Sequence, residues 1–160
     1  MNTTRVGSLL GLAAIAGLVG YLAEALLVRL GQPQFIPPIT LGVALEFIGV
    51  IIPAMAWPIR KLTRAGDDGP KSEGVDPFYA TRVLLLAKAG ALTGAVLVGV
   101  ALGIVIFVAT RVVLAATPLT FTLITVIGGV TLSVGGVLAE RWCQIPPVDG
   151  DRGAAEADPA

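Results

Sequence analysis

The sequence predicts an all-α integral membrane protein, a four-helix bundle whose helices cross the bilayer with both chain ends on the cytoplasmic side. Three observations carry this. Of 160 residues, 55% are apolar and only 14% charged, and the mean hydropathy of +0.86 is too high for an ordinary soluble domain. The apolar residues gather into four segments of about 20 residues or more, the length needed to cross a hydrocarbon core. Glycine, proline and charged residues mark the breaks between them. The expected spans are about 6–28, 38–57, 83–110 and 119–139, all within one domain over residues 1–147.

The first span follows a short polar start, MNTTR, and runs from Val6 to Val28. Arg5, an apolar run and the triplet Ala23-Glu24-Ala25 also resemble a cleavable signal peptide. Apolar residues continue through Leu26, Leu27 and Val28, beyond any cut, which favours a retained span. Gly31, Pro33 and Pro37 then give a short loop. The second span ends in WPIRKLTR, where Trp57 suits the membrane interface and Arg60, Lys61 and Arg64 cannot enter hydrocarbon. Residues 58–75 form the expected cytoplasmic loop, rich in Gly, Asp and Ser.

The longest uninterrupted stretch is 76–110. Asp76 can cap free backbone N–H groups and Pro77 fits the first helical position. The first turns carry Arg82 and Lys88, after which 22 residues carry no charge. A brief turn with Pro118 leads to the fourth span, which closes in ERWCQIPP with a second interfacial tryptophan, Trp142. Residues 148–160 have little to bury and read as a disordered cytoplasmic tail. On these boundaries eight Lys and Arg flank the side holding both termini, against Arg29 and Arg111 on the other, with Lys88 left out. The positive-inside rule then places both termini in the cytoplasm of a multi-pass protein.

Net charge is zero and histidine is absent, so no overall field draws the chain to nucleic acid and histidine acid/base chemistry is excluded. The single cysteine, Cys143, cannot form an internal disulfide; it reads as an inert thiol or a palmitoylation candidate. No phosphate loop, serine elbow or metal-ligand spacing is present, so neither an enzyme nor a cofactor is expected.

Each span carries a row of small residues of the kind that lets membrane helices approach closely. The rows are Ala13, Gly17, Gly20 and Glu24; Gly42, Glu46, Gly49 and Pro53; Lys88, Ala91, Ala95 and Gly99, with Gly103 behind; and Thr125, Gly129, Ser133, Gly136 and Glu140. Every row includes an ionisable residue. Glu46 is the deepest, and an ionised carboxylate there costs roughly 2.5 to 3.5 kcal/mol by insertion scales. Glu24, on an oppositely directed helix, could approach the same level. The two carboxyls would then share a proton or a cation, or else serve packing alone. Lys88 suits the inner interface, with its ammonium reaching lipid phosphates.

DPFYATRVLLLAKAGALTGA (76–95), AERWCQIPP (139–147), the opening NTTR (2–5) and WPIRK (57–61) together resemble a family of small actinobacterial membrane proteins. That family is known only as domain of unknown function 3180. The resemblance covers nearly the whole chain up to Val148. It implies a four-span inner-membrane protein from a high-GC actinobacterium, in a family often encoded beside folate-biosynthesis genes, and it supplies no catalytic residues. Its recurrent segments fall here on Asp76, Pro77, Phe78 and Arg82 and on Glu140, Arg141 and Trp142, at the expected cytoplasmic rim, which implies partner docking or helix-end anchoring.

Two functional readings follow. The favoured one is a non-enzymatic accessory or scaffold subunit of a membrane complex, in contact with the bilayer and with other membrane proteins or copies of itself. The alternative is a small proton- or ion-coupled transporter using Glu46 with Glu24.

Overall fold

The computed structural model describes residues 6–64, 77–110 and 116–143. They form four α-helices: α1 (Val6–Arg29), α2 (Ile39–Arg64), α3 (Pro77–Ala109) and α4 (Ala116–Trp142). All four are long and apolar enough to cross a membrane, and no strand occurs among the described residues. The near side of the bundle is where α1 begins and α4 ends; the far side is where α1 passes into α2.

Local chemistry accounts for most helix boundaries. Gly31 ends α1 with φ of 72°, the left-handed geometry that costs glycine nothing. The Gln32 N–H donates to the Leu27 carbonyl and the Gly31 N–H to that of Val28, which together close a Schellman cap. Pro77 opens α3, as expected of proline at a first helical position. Two boundaries differ from the sequence reading. Pro118 lies inside the first turn of α4 rather than in a turn before it, because a proline there removes an N–H that has no helical partner anyway. α2 also continues as helix past Trp57 and Pro58 to Arg64.

Among the described residues α1 packs on α3 alone, α3 on α4, and α4 on α2, so the α3–α4 hairpin nests inside the α1–α2 hairpin. The α1–α2 connection must therefore pass across two helix ends. Residues 30–38 are enough: nine extended residues reach about 30 Å, close to the spread of helices spaced 8–10 Å apart.

Small residues set every interface. α1 runs parallel to α3, with Gly17 against Gly99, Gly20 against Val100 and Gly103 against the Gly17 carbonyl. α4 runs antiparallel to α3, with Gly136 against Ala87 and Ala91 and Gly94 against Ser133 and Gly129. α2 and α4 are parallel, Gly42 meeting Gly128 and Gly49 meeting Gly135. The paired glycines 128–129 and 135–136 recur seven apart, so one glycine of each pair faces α2 and the other faces α3. α4 can thus be approached closely from both flanks. Toward the near side α2 also leans on α3, and Leu45, Ile52, Ala56, Val83, Ala87, Leu132, Ala139 and Cys143 form the main core.

Candidate functional site

The side chains that could carry chemistry fall into two groups, one toward the far side and one on the near rim. In the first, Glu24 is only 2% exposed, near the end of α1. The Phe35 N–H donates to Glu24 Oε1 at 3.0 Å. The carboxylate thus receives an otherwise unpaired donor from the α1–α2 connection and holds that connection against the helix end. On the neighbouring turn Tyr21 meets Phe107 of α3 edge to face, ring centroids 5.6 Å apart. Glu46 is half-buried at the margin of the α2 face that carries Gly42, Leu45, Gly49 and Ile52. It makes no hydrogen bond or ion pair to another described residue.

The structure does not bring these two acids together. Glu24 belongs to the α1–α3 pair and Glu46 to α2, and α1 and α2 do not pack on each other among the described residues. Lys88 is exposed on α3, while Ala91, Ala95, Gly99 and Gly103 of the same row are buried.

The near rim is a denser assembly. Trp57 from α2 and Trp142 from α4 meet edge to face at 5.7 Å. The Arg60 guanidinium lies 4.7 Å from the Trp142 ring centroid and 5.8 Å from that of Trp57. Beside them the Tyr79 hydroxyl donates to the Met55 carbonyl at 3.4 Å, tying the start of α3 to α2. Phe78 is 75% exposed and Arg82 exposed on α3, with Arg141 exposed on α4. Glu140 is buried and engaged. Asp76 lies outside the described residues, and Pro77 is the first residue of α3. Cys143 is buried against Ala139 and its neighbours, and burial pushes its thiol above the usual value.

Sequence reasoning named Trp57 and Arg60 as boundary residues only. Their meeting with Trp142 depends on α2 lying beside α4, and the available signal was the shared heptad spacing of Gly42 with Gly49 and of Gly128 with Gly135.

A family model for a protein of unknown function, DUF3180, matches residues 9–147. The chain belongs to that family. The match to DUF3180 takes in all four helices except the first residues of α1, and so covers both groups of side chains. No curated protein and no solved structure matches the chain.

Proposed function

We propose that this DUF3180 protein is a non-enzymatic accessory subunit of a membrane complex, with its near rim in the cytoplasm as a contact surface. Eight Lys and Arg flank that side against two on the other, which favours this orientation in a plasma membrane. The observation that carries the reading is the composition of the rim. The Trp57–Arg60–Trp142 cluster shares the near end of the bundle with the exposed Phe78, Arg82 and Arg141. Exposed aromatic and arginine side chains on a rigid base are the residue types that dominate protein interfaces.

The far-side acids support it by contrast. Glu24 is occupied in holding the α1–α2 connection, and no described helix contact sets it against Glu46. A transporter built on a shared carboxyl pair would need that approach within one chain or between copies.

The test is capture of intact complexes from native membranes, followed by mass spectrometry and a comparison of variants. The accessory reading expects further subunits to co-purify, their recovery to fall in F78S and W142A, and E46Q to behave as wild type. Recovery of the protein alone or as a homo-oligomer, together with a pH-dependent ion flux in proteoliposomes that E46Q abolishes, would overturn it in favour of the transporter.

A further inference from the structure

Along α1, Ala13, Gly17 and Gly20 meet Gly99, Val100 and Gly103 of α3. Between α1 and α4, over α3, lies an apolar groove of about 390 Å³ on the near side. One wall is Val6, Leu9 and Ala13 of α1, and the other is Val130, Val134 and Leu138 of α4. Ala95 and Val98 of α3 make the floor. Ser133, the hydroxyl-bearing residue of the lining, already donates to the Ala91 carbonyl at 3.1 Å, so its O–H is satisfied within the protein. At the near-side mouth stands Arg141, exposed and making no ion pair with another described residue.

Length and charge identify the occupant. From Val130 to Arg141 α4 advances about 16 Å at 1.5 Å per residue, close to one leaflet's share of a hydrocarbon core of about 30 Å. Ala13, the α1 lining residue farthest from the near side, meets Gly99 of α3. Among the described residues the lining carries one cation, Arg141, at the near-side end. A second protein helix would meet no acid among the described lining residues to pair with, whereas an acyl chain needs only the aliphatic walls. A phosphodiester needs the arginine. We propose that this groove is a binding site for one anionic phospholipid of the near-side leaflet, with an acyl chain between α1 and α4 and its phosphate on Arg141. The groove does not include the Trp57–Arg60–Trp142 cluster, though Arg141 belongs to the same rim, and the lipid readout does not depend on the accessory-subunit reading.

The experiment is native mass spectrometry of the full chain, purified in mild detergent and equilibrated with equal amounts of phosphatidylglycerol and phosphatidylcholine. Wild type is expected to retain one phosphatidylglycerol at least fivefold over phosphatidylcholine. R141Q should bring that preference to within twofold. V134W, which fills the groove, should remove retention of both lipids, and L10W does the same from the opposite wall should V134W fail to fold. R82Q, a cation outside the groove, should match wild type. Equal retention of the two lipids by wild type, an unchanged preference in R141Q, or retention undiminished in folded V134W and L10W would overturn the assignment and leave annular lipid only. A groove-filling variant that alters protomer number while lipid retention stays constant would overturn it in favour of a second copy.

Discussion

Gly135 of α4 presents its Cα to the carbonyl oxygen of Gly49 on α2, so closely that a Cβ at position 135 would collide with it. That carbonyl is one that Pro53, four residues on, leaves without a helical N–H, since proline has none. In hydrocarbon a bare carbonyl is costly, and a close Cα–H group from a neighbouring helix offsets part of that cost. The proline and the glycine are thus two halves of one arrangement.

Replacing Gly135 with alanine should therefore separate α2 from α4. The expected cost is about 1–3 kcal/mol, the usual range for overpacking a close contact. Unfolding from mixed micelles by a denaturing detergent, followed by circular dichroism, measures it. Gly11→Ala is the control, because nothing lies within 4 Å of a Cβ there. It should be neutral or slightly stabilising through helix propensity. Equal effects of the two changes would remove the packing argument.

Ser133→Ala tests the α3–α4 interface in the same assay. Its hydroxyl donates to the Ala91 carbonyl across the two helices. Interhelical side-chain hydrogen bonds in membranes average about 0.6 kcal/mol, with a maximum of about 1.7. A loss of about 0.5–1.5 kcal/mol is expected, and a gain would show that the hydroxyl is not engaged.

How much of this was legible beforehand depended on whether a feature was local. Span length, the Pro77 helix start and the rows of small residues are properties of one helix at a time, and Gly17 and Gly20, Gly42 and Gly49, and Gly129 and Gly136 all lie in helix contacts. Lys88 heads such a row in the sequence, yet a slowly drifting stripe lets its first residue leave the contact face, and there it is exposed. Which helix meets which was not legible. Nesting of α3–α4 within α1–α2 follows from the tandem glycines of α4, which work on two flanks at once. A single-stripe reading picks up Gly129 and Gly136 and misses Gly128 and Gly135. The Glu24–Phe35 hydrogen bond was equally hidden, because it joins a helix to a loop whose path has no periodicity to read.

Glu24→Gln should be tolerated, since the amide oxygen can still accept from the Phe35 N–H. Glu24→Leu removes the acceptor and leaves a donor unpaired, at an expected cost of about 1–3 kcal/mol. Limited proteolysis of residues 30–38 in detergent reads this directly. Cutting should rise in the Leu variant and stay at the wild-type rate in the Gln variant. Matching rates in both would show that the carboxyl does not hold the connection.

A double-mutant cycle between Trp57 and Trp142 should return a coupling of about 0.5–1.5 kcal/mol, as expected for an edge-to-face pair. Arg60→Gln should lower the stability of wild type more than that of W142A, because the guanidinium lies nearest the Trp142 ring. Additivity of the two tryptophan changes would mean that the rings share the rim without holding α2 to α4.

Cys143 gives the pH-dependent test, and as the only cysteine it can be read without interference. Burial raises its thiol, so at neutral pH the folded protein holds less thiolate than an unfolded chain whose cysteine titrates near the ordinary value of about 8.5. Alkylation of the folded protein should be slow at pH 7.5 and should accelerate only above that ordinary range, whereas in denaturing detergent the rate should climb at lower pH. The linked stability has the same sign. A pKa raised by folding contributes nothing that changes below the unfolded value, and stability is lost as pH rises from there through the folded value. Cys143→Ser should abolish labelling and remove that alkaline loss. Equal alkylation rates for folded and unfolded chains across the pH range would place the thiol outside the core formed with Ala56, Val83 and Ala139.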